Sequence, residues 1–196
     1  MIEWGLRPPF FSLKEVMNSF TKNGNWVDMI KVNIPDHASD LEQHLTRVMA
    51  STDLTVEEAH GCALAAAAAS GNGELAFEIS MNSPLFGSNV REAIIQVVLH
   101  QAVNSTYSAF TDCVELFNMT IASDSNEFVG EAHRTYSGLS PDQYGLYSLA
   151  AATVNKSEQE LSRVIQMLRL LGVPTEKMVA AARIAAVVSA LTKVVL

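Results

Sequence analysis

Thr55-Val56-Glu57-Glu58-Ala59-His60-Gly61-Cys62-Ala63-Leu64-Ala65-Ala66-Ala67-Ala68-Ala69 is the stretch that decides the fold class. It opens on a hydroxyl followed three positions later by a glutamate. In that pattern the hydroxyl accepts from a free N–H of the first helical turn while the carboxylate reaches back to the capping residue's own N–H. Alanine, the strongest helix former, then dominates, with no period-two alternation of β-branched residues, so helix outcompetes strand.

The same start chemistry recurs at Asn89-Val90-Arg91-Glu92, Ser140-Pro141-Asp142-Gln143 and Ser157-Glu158-Gln159-Glu160, with Pro141 at the favoured first helical position. Gly71-Asn72-Gly73 and Leu171-Gly172-Val173-Pro174 read as stops. These signals predict helices over 38–50, 55–71, 73–81, 89–117, 141–155, 157–171 and 175–195, an all-α fold without a β-hairpin. The most polar stretch, Thr120 to Ser137, reads as a linker. The chain also resembles itself across that linker: about 83 residues separate Asn72 from Asn155, and about 84 separate Glu92 from Glu176 and Ser105 from Ser189. One domain spanning 1–196 is expected, built from related halves at 54–119 and 139–196 after an N-terminal extension, 1–53. The halves should pack on each other, because one such unit has an apolar face too wide to leave wet. In the last helix Val179, Ala182, Ala186, Val187, Ala190 and Val194 spread over several faces, which predicts central burial or a subunit interface.

The 196 residues are 48% hydrophobic and 17% charged, with a net charge of −8, the composition of a globular chain able to bury a sizeable core. No cluster of Lys and Arg is present, which argues against nucleic acid as a partner. Cys62 and Cys113 belong to no Cys-x-x-Cys, and the five histidines have no metal-ligand spacing, so neither a disulfide framework nor a metal or other cofactor is expected. The opening Met1-Ile2-Glu3-Trp4-Gly5-Leu6-Arg7 lacks the pattern of a secretion signal, so a cytoplasmic location is expected and the Asn-x-Ser/Thr triplets at Asn104, Asn118 and Asn155 carry no meaning for glycosylation. Met178 to Leu196 is the most membrane-like stretch, but it carries Arg183 and Lys193. A central arginine costs about 2.5–3.5 kcal/mol in a membrane helix, so a buried helix and no membrane partner is the expectation.

Glu57, Glu58 and His60 fall within one turn beside Cys62, and His100 on the long helix could join them as an acid/base cluster. Against this stands a plainer reading, in which the glutamates serve the helix dipole and His60 lies on a partly wet face. Cys62 precedes an alanine run and reads as a packed apolar residue. Cys113 lies among the acidic Asp112 and Glu115, a setting that lowers thiol reactivity. Tyr136, Tyr144 and Tyr147, with His133 and Arg134, could line a small-molecule pocket or simply pack.

Three segments carry a family resemblance: Asp28 to Ile34, the helix pair from Ala66 to Ile79, and the long helix from Val90 to Phe110. The clearest match is Leu149-Ala150-Ala151-Ala152-Thr153-Val154-Asn155, followed by a new helix that ends at Leu168-Arg169-Leu170-Leu171-Gly172-Val173. Over most of its length the chain resembles the alkyl hydroperoxidase D (AhpD) proteins of the carboxymuconolactone decarboxylase superfamily. The resemblance implies an AhpD-like helical bundle that assembles as a homo-oligomer, commonly a trimer, with room for a small-molecule ligand. It also implies peroxidase chemistry by a Cys-x-x-Cys at a helix N-terminus, where dipole and free N–H groups favour a thiolate.

In this sequence those cysteine positions fall on Ser157 and Glu160, the family's upstream glutamate falls near Gly145, and its histidine falls at Val164. If the halves are symmetric, the matching first-half site lies near Glu74 and Phe77. Ser157 and Glu160 read instead as a capping box that keeps the helix start without the thiols. The leading expectation is therefore a divergent member that has lost thiol peroxidase and disulfide reductase activity and keeps the scaffold for binding or assembly. Two alternatives stand beside it. One is an antioxidant peroxidase using a relocated thiol, Cys62 or Cys113; the other is a thiol-free acid/base enzyme of the carboxymuconolactone decarboxylase type, using Glu57, Glu58, His60 or His100.

Overall fold

The computed structural model describes residues 26–83, 86–116 and 138–195. Its helices are α1 (Trp26–Lys31), a 3-10 turn (Asp36–Ala38), α2 (Ser39–Met49), α3 (Val56–Ala69), α4 (Gly73–Asn82), α5 (Ser88–Leu116), α6 (Pro141–Asn155), α7 (Glu158–Leu170) and α8 (Thr175–Leu191). Among the described residues there is no strand, and no helix is long and apolar enough to cross a membrane. The expected linker, with His133, Arg134 and Tyr136, lies outside the described residues, as does the Asn118 triplet.

Capping chemistry sets the starts. Thr55 Oγ1 accepts from the Glu58 N–H at 3.2 Å, and the Thr55 N–H donates to the Glu58 carboxylate at 2.8 Å. Ser140 and Gln143 make the same reciprocal pair, at 3.2 and 2.9 Å. Two expected caps differ. α5 begins at Ser88, so Asn89 lies inside the helix rather than capping it. At α7 only half of the expected box forms: Ser157 Oγ accepts from the Glu160 N–H at 3.4 Å, but the Glu160 carboxylate turns elsewhere. α1 was not expected from the sequence; Trp26, Val27 and Ile30 are buried in it. α8 stops at Leu191, four residues short of the expected end, with Thr192 as its C-cap.

The small residues of α3 and α6 explain the middle of the bundle. α3, α6 and α8 each pack on the other two. Ala63 to Ala67 and Ala150 to Ala152 are fully buried, and without bulky side chains the helix backbones approach closely. At Gly61 the approach is closest, since a Cβ there would lie 2.3 Å from the Tyr147 ring. Cys62 Sγ donates to the Leu146 carbonyl of α6 at 3.8 Å. Around this centre, α4 packs on α3, α7 on α6, α2 on α8, and α5 along both α3 and α6.

α3 and α6 also end alike. A residue with positive φ, Gly71 (+78°) or Lys156 (+56°), precedes the side-chain N-cap of the next helix, Asn72 or Ser157. Asn72 and Ser157 thus stand at like places in these two turns, and the third helical position after Asn72 is Leu75; Glu74 and Phe77, expected from the sequence spacing, fall two positions later.

α8 is buried in the middle of the bundle, the first of the two expected readings, although the six residues singled out in the sequence are not the ones that go deepest. Met178, Ala181, Ile184, Ala185, Val188 and Leu191 enter the core. Val179 and Ala186 are exposed, and Ala182, Val187, Ala190 and Val194 are only half-buried. The apolar residues run nearly all round this helix, so composition alone does not choose the face.

Candidate functional site

The expected acid/base residues lie at the start of α3, but they do not converge. Glu58 is 6% exposed and pairs with Lys177 Nζ of α8 at 2.7 Å. Burial alone would push its carboxyl up; hydrogen bonds from Lys177 and Thr55 and the lysine's charge outweigh this and hold it below the usual range. His60 is buried as well, not on a wet face, and its Nδ1 shares a 2.9 Å hydrogen bond with Ser83 Oγ. Its ring stands edge-on to Trp26, with centroids 5.8 Å apart. Burial pushes the imidazole down and favours the neutral form. Glu57 is half-buried. His100 is half-buried too, on α5.

At the start of α7, the positions that the resemblance gives to thiols have other work. Ser157 caps the helix, and Glu160, 3% exposed, forms an ion pair with Arg163 one turn along while Ser108 Oγ of α5 donates to it at 3.4 Å. Gln159 donates to Asp112 of α5 beside them. Gly145 leaves no room for a side chain, since a Cβ there would lie 2.4 Å from Leu168 Cδ2. Val164, at the family's histidine position, is buried in the core.

Of the two cysteines, Cys62 is not placed for the relocated chemistry. Cys62 is fully buried, and burial together with the nearby Glu58 pushes its thiol far up, away from the thiolate that attacks a peroxide. Cys113 is exposed on α5. Tyr147 lies wholly in the core, with a buried hydroxyl that has no hydrogen-bond partner among the described residues and is pushed far up by burial. Tyr144 is half-buried; burial pushes its hydroxyl up, offset in part by Ser148 and Arg163. Among the described residues no three His, Cys, Asp or Glu side chains group to hold a metal.

Among the concavities lined by described residues are two, and none of Glu57, Glu58, His60 or His100 lines either. The first is a small apolar recess between α1 and α4, closed by Ile30, Leu75 and Val195. The second is a groove of about 550 Å³ between α2 and α8, lined by His44, Arg47, Arg183 and apolar residues. Sequence reasoning missed Lys177, Ser83 and this groove. Their partners lie far away along the chain, and no local spacing announces them.

Compared with family models and with curated proteins, the sequence matches none.

Proposed function

We propose that this chain is a divergent AhpD-like protein, built from two related helical halves, which has lost thiol peroxidase and disulfide reductase chemistry and uses its scaffold for binding and self-assembly. The observation that carries this reading is the start of α7: Ser157 supplies only a cap bond there, and the Glu160 carboxylate is held by Arg163. A serine hydroxyl neither ionises like a thiol nor closes a disulfide. The burial of Cys62 supports the same reading, as does the absence of space at Gly145 for a proton-relaying side chain.

Self-assembly is supported by the outer face of α5. Ile95, Leu99, Val103 and Phe110 stand 38%, 59%, 49% and 57% exposed. The first three follow one another at four-residue spacing along one side of the helix, a stripe that a second copy would cover.

The test is peroxide turnover by the purified protein, with cumene hydroperoxide and dihydrolipoamide, run beside Cys62→Ser and Cys113→Ser. The expected result is no turnover above the uncatalysed blank. Turnover abolished by one of the variants would overturn the reading in favour of a relocated thiol. For assembly, light scattering after size exclusion should show an oligomer that Leu99→Glu reduces in mass; a wild-type monomer would remove that part of the proposal.

A further inference from the structure

The groove between α2 and α8 stands out by its charge. The protein carries −8 overall, yet the described side chains that line this groove include His44, Arg47 and Arg183 and no carboxylate. Both arginines are exposed, and among the described residues neither has an acidic partner. The two guanidinium groups come from different helices, Arg47 from the last turn of α2 and Arg183 from the middle of α8. An arginine fork suits a carboxylate or phosphate oxygen pair better than a point charge does.

The same groove is lined by the apolar Val48, Ala180, Ala186 and Val187 and by Ser51. From α8 the groove is lined by the small Ala180 and Ala186, and small side chains leave a channel where larger ones would fill it. The volume of about 550 Å³ falls within the range of about 300–1,000 Å³ for small-molecule sites, and a cationic rim over an apolar floor is the arrangement that orients an amphipathic ligand.

We infer that the α2–α8 groove binds a small organic anion, an acid group on an apolar body, with Arg47 and Arg183 on the acid and Val48, Ala186 and Val187 against the body. This gives the binding part of the proposed function a place and a ligand class, and rests on that part. Because it is read by binding and not by peroxide consumption, each can fail alone.

Octanoate is the probe, titrated by calorimetry into the wild-type protein and into the double variant R47Q/R183Q, with octanol and inorganic phosphate as ligands that carry only the body or only the charge. Octanoate should bind the wild type and lose about tenfold or more in affinity in the double variant, as loss of charge-assisted bonds requires. Octanol should bind alike to both proteins, and phosphate alone should bind more weakly than octanoate. Ala186→Phe, which fills the floor at an exposed position, should weaken octanoate and octanol together. Octanoate binding that is absent, equal in the wild type and R47Q/R183Q, or no tighter than octanol would overturn the inference. Circular dichroism of each variant at the titration temperature confirms that folded protein is being compared.

Discussion

Glu58 and Glu160 are both buried glutamates three residues past a hydroxyl N-cap, but their carboxylates go to different places. Glu58 turns back to the Thr55 N–H and outward to Lys177, a lysine 119 positions along the chain. Glu160 leaves its capping residue and meets Arg163 on its own helix and Ser108 on α5. The difference teaches that the four-residue capping pattern predicts where a helix starts more securely than where its carboxylate points. Packing decides the latter, since a cation close to a buried carboxylate competes with the helix's own N–H.

This comparison can be broken by experiment. Arg163→Met leaves the Glu160 carboxylate with only Ser108 and should cost about 2–3 kcal/mol in chemical denaturation, because one partner of a buried pair is gone. Lys177→Met should cost less, about 1–2 kcal/mol, because Glu58 keeps its backbone N–H. Equal losses would mean that the two glutamates are held alike. Adding Glu160→Gln to Arg163→Met should recover part of the loss, since the uncompensated charge is removed. Among the caps, Thr55→Ala should cost about 1 kcal/mol and Ser157→Ala about half that, because the second bond is long and unreciprocated.

A smaller effect is expected from pH. His60 has a folded-state pKa below its unfolded value, so the unfolded chain binds protons first as the solution is acidified. Stability should be full above about pH 6.5 and decline below it, and the decline over pH 6.5 to 5 should be shallower in His60→Gln. Glu58, also held down, adds its own loss at lower pH, as the solution falls below the ordinary carboxylate value and through the folded one. Identical slopes for wild type and His60→Gln between pH 6.5 and 5 would show that His60 is accessible to protons in the folded state.

Much of the helix map was legible because alanine runs, capping patterns and glycine stops are local signals, and Thr55, Ser140, Asn72 and Ser157 all cap the helices they precede. α1 was not legible, since six residues make fewer than two turns, too short for the helical period to stand out, and Trp26, Val27 and Ile30 are buried by packing with distant parts of the chain. The buried face of α8 was hidden by its near-uniform apolar composition. Of the candidate site residues, Cys62 is packed as its place before the alanine run suggested, and Glu58 lies in the first turn of its helix. It misplaced His60, whose burial comes from Trp26 and Ser83 on other elements. The cationic groove was invisible for the same reason: Arg47 and Arg183 are brought together only by the packing of α2 on α8.

The central claim is that this scaffold presents no activated thiol, and the rate at which its thiols react with hydroperoxide tests it most directly. With excess cumene hydroperoxide and rapid quenching, the account predicts that Cys113 is oxidised no faster than free cysteine while Cys62 stays reduced until the protein is unfolded. Oxidation of either thiol orders of magnitude faster than free cysteine in the folded protein would contradict it.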